Sequence, residues 1–391
     1  MIPVCFFDTE YFRKSLQPFT FLRSIADIRI GILTIKEKYL LQAQFESPVY
    51  ITTDYLKKLY PEPLQGKEYI FIHSAYLPEE NFFSRLEKLK SGNCIRFANH
   101  VVAYKGEVKD FLSGKYVHYE EITTGKLLEK PWQIFQWNGE EFEKDFFHIT
   151  QGKFSSSLSD SNKIIGNPQN VFAESGVQAE SCTLNTHTGK IYIGKNVTLM
   201  EGSHIRGPVA FLNHAEVKMG AKIYGPTTIG PYCKVGGELN NVVMFGYSNK
   251  AHDGFLGNSV ISEWCNLGAD TNCSNLKNTY DEVKVYSYLS NTYEKSGLQF
   301  CGLLMGDHVK CSINTMFNTG TVTGICCNIF GGGFHPKHIP SFQWGGGNEW
   351  EKFQWEKLKE SIIHTMKRRN ILPNEDYFSA LRFLYDNTHD A

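Results

Sequence analysis

Beyond residue 164, aliphatic side chains recur at steps of six, most plainly at Ile223, Ile229 and Val235. A step of six matches neither the period of about 3.6 of a helix nor the period of about 2 of a two-faced strand. It fits a coil of three short strands per turn, with one aliphatic side chain from each hexapeptide pointing inward. Stacked turns pair their backbones and build one apolar column that no single turn could bury alone. Ile193-Gly194, Ile229-Gly230, Val235-Gly236 and Leu267-Gly268 punctuate the repeat. Gly225, Gly236-Gly237, Asn240-Asn241 and Asn258 suit corners that require φ > 0.

The repeat locates the other parts of the chain. Residues 1–152 read as an α/β layer, with strands expected at 4–7, 28–35, 49–52, 69–72 and 95–104 and a helix carrying Phe82, Phe83, Leu86 and Leu89. Residues 153–163, small and polar, form a linker, and 164–345 form the coil. Its polar stretch 246–254 is expected to break the period, and Val283 and Val285 to form a strand pair outside it. Leu304, Val309, Phe317, Val322 and Ile329 are inward candidates, and Gly331-Gly332-Gly333 is expected to end the coil. In the extension 346–391, Trp350, Phe353, Leu358, Ile362 and Met366 trace one helical stripe over 350–369, and a second helix spans 376–385. These helices are expected to cover the open end of the coil, where unpaired strand edges would otherwise aggregate.

Composition excludes several classes of function. The 40 basic and 41 acidic residues leave a net charge of −1, which offers no global attraction to nucleic acid or to an anionic membrane. The ten cysteines lack the paired spacings of a disulfide scaffold or zinc module and read as reduced, buried residues. The N-terminus has no basic region followed by an apolar run, and no stretch approaches the ~18 apolar residues of a membrane span. A cytoplasmic protein without a membrane segment is expected.

The segments Ile229-Gly230-Pro231-Tyr232-Cys233-Lys234, Lys250-Ala251-His252, Phe255-Leu256-Gly257 and Asn266-Leu267-Gly268-Ala269 resemble the hexapeptide acyltransferase domain of bifunctional N-acetylglucosamine-1-phosphate uridyltransferases. The chain as a whole, including Leu16-Gln17-Pro18-Phe19 and Lys130-Pro131-Trp132, is similar to a group of Bacteroidetes sugar nucleotidyltransferase-like proteins. The resemblance implies an α/β nucleotidyltransferase-like N-terminal domain, then a left-handed parallel β-helix of hexapeptide repeats, then C-terminal helices. It implies a transferase that uses acetyl-CoA or another acyl-CoA as co-substrate, acts on a sugar phosphate or nucleotide sugar, and assembles as a homotrimer.

By that resemblance His252 is the general base on a sugar amine, a role suited to the one side chain whose ordinary pKa lies near neutrality. Asn266 is expected to bond the sugar, Lys250 and Lys234 to answer its phosphate, and backbone N–H groups around Gly268 and Ala269 to meet an oxyanion. Phe255 stands where the family has a tyrosine, and Lys234 where it has an arginine, so the acceptor is expected to differ.

The N-terminal half departs further from its relatives. Phe7-Asp8-Thr9-Glu10-Tyr11 replaces the glycine-rich phosphate loop, and Ile72-His73-Ser74 stands where a Mg²⁺-binding aspartate is expected. The remaining nucleotide-binding candidates are Arg23, Arg29, Lys36 and Lys130, with Mg²⁺ as the metal that nucleotidyl transfer would need. A non-catalytic nucleotide-sugar binding or scaffolding protein is the alternative. The basic run at 367–369 is too short for nucleic-acid recognition.

Overall fold

The computed structural model describes residues 3–43, 45–347 and 349–388. In the N-terminal part, a six-stranded sheet runs in the order Val49–Ile51, Val4–Phe7, Glu68–His73, His100–Glu107, Asn93–Phe97, His118–Ile122. The first three strands are parallel, as in a Rossmann-like layer, and His100–Glu107 pairs antiparallel to both of its neighbours. The stretch expected as one strand over 95–104 is therefore a hairpin that turns at Ala98 and Asn99, both in the left-handed region.

The expected strand over 28–35 is instead a tight loop leading into the helix Ile35–Gln42. Gly31, at φ 77°, lies against Asp145 and Glu141 where no side chain would fit. Its N–H donates to Asn138 Oδ1 at 2.8 Å, and the Ile32 and Leu33 N–H groups donate to Asp145 Oδ2. Those acceptors lie on the helix Gln133–Thr150, which a buried cluster of Lys38, Glu141 and Asp145 joins to Ile35–Gln42. An apolar β-branched run thus forms a loop because neighbouring carboxylate and amide groups satisfy its backbone.

From 163 onward the chain winds into a parallel β-solenoid with three faces. The first face stacks Val171–Ala173, Ile191–Ile193, Val209–Phe211, Thr227–Ile229, 242–244, 259–261, Leu304–Met305, Val322–Thr323 and His338–Ile339. The second carries Thr198–Leu199, Glu216–Val217, Lys234–Val235, Asn249–Lys250, Asn266–Leu267, Lys310–Cys311 and Asn328–Ile329. The third includes His204–Arg206, Lys222–Tyr224, 238–240 and 255–257. Ile223, Ile229 and Val235 all point into the lumen and are fully buried, as the step of six requires.

The coil outlasts its expected end, since His338–Ile339 and Gln343–Gly346 still add rungs after the triple glycine. Nor does 246–254 interrupt it, because Asn249–Lys250 pairs in register with Lys234–Val235. A large insertion follows Cys273 and holds the expected strand pair, an antiparallel hairpin of Lys284–Ser287 and Thr292–Lys295.

Two inward candidates face the other way. Leu304 and Val322 continue the outward column of Val243 and Val260, which packs in one core with the N-terminal domain, while Leu303 and Met305 line the lumen. Further along the same face, Phe172, Tyr192, Ala210 and Leu212 pack against Ile32, Phe142, Phe146 and Ile149. The first face is thus apolar on both sides, and the N-terminal domain is docked along it. Each fully covered Val or Leu contributes roughly 1.5–3 kcal/mol to that docking.

The C-terminal helices are Trp355–Lys367 and Glu375–Asn387. The first begins later than its stripe suggested because Glu349–Lys352 pairs as an antiparallel strand with Gln343–Gly346. The helices do not cap the open end. Phe353, Leu358, Ile362, Phe378 and Leu381 share a core with Trp264, Ile325, Cys326 and Phe342, which lie along the corner between the first and second faces.

Candidate functional site

That corner has an unusual composition for a solenoid. His214, Tyr232, Tyr247, Trp264, His308, Cys326 and Phe342 all have φ between 55° and 64° at equivalent turns. Glycine and asparagine are the usual occupants of such positions. Four successive rings stack nearly parallel: His214 on Tyr232 at 4.6 Å, Tyr232 on Tyr247 at 5.3 Å, and Tyr247 on Trp264 at 4.3 Å between centroids. Ring stacking between turns offsets the cost of the left-handed conformation. Of the corner residues expected to take φ > 0, Gly237, Asn241 and Asn258 do so.

His252 lies on a different corner, between the second and third faces. The tight approach of successive turns there depends on Gly237, at φ 72°, where a Cβ would come within 2.9 Å of the His252 carbonyl. His252 and Asp253 are exposed, and the imidazole has no polar partner among the described residues. The next turn brings Gly268, Ala269 and Asp270 alongside, with the Asp270 N–H donating to the Asp253 carbonyl at 3.0 Å. The Gly268 N–H already donates to Cys311 O at 3.1 Å, and the Ala269 carbonyl accepts from Asn314. Phe255 follows the corner, its N–H bonded to Asn272 Oδ1 and its ring over Gly257.

Lys250 does not face outward. It occupies the lumen position of Val235 and is 1% exposed. Its Nζ donates to the carbonyls of His252 at 2.6 Å and Asp253 at 2.9 Å, holding the His252 corner from inside the coil. Burial lowers its pKa to about 8, against the opposing pull of Asp253 and Asp270. Because this value lies below that of an unfolded lysine, the folded chain releases the proton first. The cost of burying the charge is present in full below pH 8 and fades as pH rises toward the ordinary lysine value. Stability is therefore expected to rise over that window by up to about 3 kcal/mol, and Lys250→Met to flatten the rise. Denaturant midpoints of both proteins at several pH values check this, and parallel curves would refute it.

The remaining candidates lie on the second face. Lys234 pairs with Glu216 at 2.7 Å. Asn266 projects from the second face, its Oδ1 accepting from Asn249 Nδ2 at 3.4 Å. It lines a cleft of about 260 Å³ with Tyr247, Asn249, Trp264, Lys310, Arg368 and Arg369. The last three are cations that the sequence reading did not assign to a site. The run at 367–369 was visible, but its place beside the solenoid was not.

The four N-terminal cations do not converge on a nucleotide pocket. Arg23 is buried and forms a bidentate pair with Asp307, a bond to Ser262 Oγ at 2.7 Å and an ion pair with Glu263 at 3.3 Å. Burial alone would lower its pKa, but Asp307 and Glu263 raise it. Arg29 donates to the carbonyls of Phe245 and Ile32. Lys130 pairs with Glu294 on the inserted hairpin at 2.7 Å. Lys36 pairs with Asp27 of its own domain, and Arg29 also reaches Glu37 there at 3.5 Å. Arg23, Arg29 and Lys130 join the N-terminal domain to the solenoid.

The ends of the parallel strands, where an open α/β sheet usually binds its ligand, are occupied by the chain itself. The Asp8 carboxylate accepts from Arg13, Thr52, Ser24 and the Ile25 N–H, and its side chain is fully buried. The adjacent strand ends at His73, whose pKa burial lowers to about 3, so the imidazole is neutral. Asp8 and His73 do not fit the Mg²⁺ that the resemblance implied: the Asp8 carboxylate is saturated by donors and matched by Arg13, and His73 replaces a carboxylate. Among the described residues no group of three His, Cys, Asp or Glu side chains could hold a metal, and no helix is long and apolar enough to cross a membrane.

Residues 4–154 match the sugar nucleotidyl transferase family. A bifunctional sugar-1-phosphate nucleotidylyltransferase/acetyltransferase of Sulfurisphaera tokodaii is 30% identical over 149 residues, covering 33% of this chain and 36% of its own. A bifunctional protein GlmU of Methanocaldococcus jannaschii is 27% identical over 123 residues, covering 32% and 27%. The chain thus spans only about a third of the length of the curated relatives it matches. Similar solved structures include the polysialic-acid-specific acetyltransferase NeuO, with 13% identity and a TM-score of 0.29 over 50% of this chain and 87% of that one. Another is an Arabidopsis UDP-N-acetylglucosamine acyltransferase, with 14% identity and a TM-score of 0.20 over 59% and 90%.

Proposed function

We propose that the protein is an acyl-CoA-dependent acyltransferase whose acceptor is the amine of a phosphorylated sugar, with His252 as its base. The observation that carries this reading is the His252 corner, an exposed imidazole with no polar partner among the described residues, on a backbone turn whose carbonyls Lys250 grips from within. The sugar amine attacks the thioester carbonyl while His252 takes the amine proton. The tetrahedral intermediate then collapses, expelling the thiolate, and the imidazolium returns its proton to give free CoA and the amide. Two relatives described as bifunctional, one by name a sugar-1-phosphate nucleotidylyltransferase/acetyltransferase, support this substrate class. The first face and one corner are covered by the chain itself, so a homotrimer would meet through the third face and the corner that carries His252. A cytoplasmic location belongs to the same reading.

Nucleotidyl transfer is the weaker of the two activities in this proposal, because the Asp8 carboxylate is taken up by Arg13 and Thr52 and the next strand ends in a neutral His73. The same observation favours a second reading of the N-terminal domain as a nucleotide-sugar binding or scaffolding unit. One coupled assay separates these cases: the protein with acetyl-CoA, Mg²⁺, nucleoside triphosphates and a panel of amino-sugar phosphates, monitoring CoA and pyrophosphate together. CoA release without pyrophosphate is the expected result. Saturable nucleotide-sugar binding with neither product would overturn the proposal in favour of the scaffold.

A further inference from the structure

The cleft between the second face and the helix Trp355–Lys367 brings three cations together without a counter-charge. Lys310 stands in the outward column between Asn266 and Asn328. Its Nζ donates to Ser361 Oγ at 2.9 Å. Arg369, just past the helix end, donates to the Tyr232 carbonyl at 3.5 Å and to Asn249 Oδ1 at 3.3 Å, both neutral acceptors. Arg368 is exposed and has no polar partner among the described residues. Among the described residues, no carboxylate lies within ion-pair distance of any of the three, whereas Lys190, Lys218, Lys222 and Lys234 on the solenoid each have one.

A helix C-terminus favours cations by its dipole, and this accounts for Arg368 and Arg369 alone. It does not account for Lys310, which reaches the same cleft from the opposite wall and whose pKa is lowered by burial. Grouping like charges in a partly enclosed space costs free energy unless an anion joins them. Asn249 and Asn266 add polar groups at the rim, and the stacked Tyr247 and Trp264 rings form an aromatic wall. The volume, about 260 Å³, lies below the ~300 Å³ at which pockets begin to enclose drug-sized ligands. It suits a phosphate group and part of what carries it, not a whole dinucleotide.

We propose that this cleft is a binding site for a phosphate monoester, with Lys310, Arg368 and Arg369 as its cations and Asn249 and Asn266 as its polar rim. The anion site stands independently of His252. Which ligand delivers the phosphate, a sugar phosphate or the 3′-phosphate of CoA, rests on the acyltransferase reading. The sequence-derived phosphate ligands Lys234 and Lys250 are occupied by Glu216 and by backbone carbonyls, whereas Lys310, Arg368 and Arg369 line one cleft and none of them has an ion pair among the described residues.

The test is calorimetric titration of the full chain with glucosamine 1-phosphate against glucosamine, and with CoA against 3′-dephospho-CoA. The wild type, Arg368→Gln/Arg369→Gln and Lys310→Met are compared. Loss of a charge-assisted hydrogen bond corresponds to at least about tenfold in affinity. Both variants are therefore expected to weaken one phosphorylated probe by that factor and to leave its unphosphorylated counterpart unchanged. The affected arm identifies the source. Arg368→Gln alone, at an exposed side chain, guards against loss of folding and is expected to weaken the same arm. His252→Gln is expected to bind that probe normally, so failure of catalysis and failure of the anion site are distinguishable. Equal affinity of all variants for every phosphorylated probe, or no saturable binding of any, overturns the proposal.

Discussion

His252→Gln is expected to lower acyl-CoA consumption by at least about 10²-fold, within the ~10²–10⁴ that a positioned general base contributes. The variant should fold normally, because the side chain is exposed and has no polar partner among the described residues, and surface changes of that kind usually stay within about 0.5 kcal/mol. Glutamine keeps the size and polarity of the side chain but cannot accept the amine proton. The measurement is steady-state CoA release alongside a denaturant midpoint for each protein. If turnover is unchanged at an unchanged midpoint, His252 is not the base. A fall with Asp253→Asn as large as that with His252→Gln would point to the whole corner, because the backbone carbonyl of Asp253 is held by Lys250 and by the Asp270 N–H.

The second large effect concerns assembly of the fold. Asp307→Ala is expected to destabilise the protein by about 3–5 kcal/mol, the range for breaking a buried ion pair by removing one partner. Asp307 Oδ1 accepts from Arg23, from Ser262 Oγ at 2.6 Å and from the Glu263 N–H at 3.1 Å. Removing the carboxylate leaves the Arg23 guanidinium buried against Phe245, with Glu263 as its remaining counter-ion. Glu263 is a poor substitute, since its side chain is 35% exposed against 2% for Asp307. Equilibrium unfolding in urea measures the loss. The double replacement Arg23→Met/Asp307→Leu should recover most of it, because exchanging both charges for apolar side chains removes the unpaired ion. A single-variant loss under about 1 kcal/mol would show that the pair does not hold the domains together. Arg23→Ala resembling Asp307→Ala in stability would further separate Arg23 from nucleotide binding.

The site was partly legible in the sequence. The Lys250-Ala251-His252 segment drew attention to its corner of the coil because a polar, glycine-flanked stretch inside an apolar repeat is conspicuous. It was misread as a break in the coil because a lysine seldom occupies a lumen position. Only the rung register with Val235, and two carbonyls within reach of Nζ, make that burial tolerable. The aromatic corner escaped notice because turn signals are sought in glycine and asparagine, while here ring stacking between successive turns stabilises the same φ.

By itself the sequence determined the solenoid and the division into an α/β layer, a coil and two helices. A step of six leaves no other regular backbone that buries one side chain per repeat. It could not decide what lies against the coil. Val260 and Ile261 are adjacent and equally apolar, yet one meets the N-terminal domain and the other the lumen. The destination of Arg23 was equally beyond local reading, since its counter-ion lies 284 residues away. Periodicity specifies which way each side chain points from its own strand, but burial and charge pairing depend on which distant surface arrives there. The tertiary structure decided those partners, and with them that Arg23, Arg29 and Lys130 tie the N-terminal layer to the solenoid while His252 is left open to solvent.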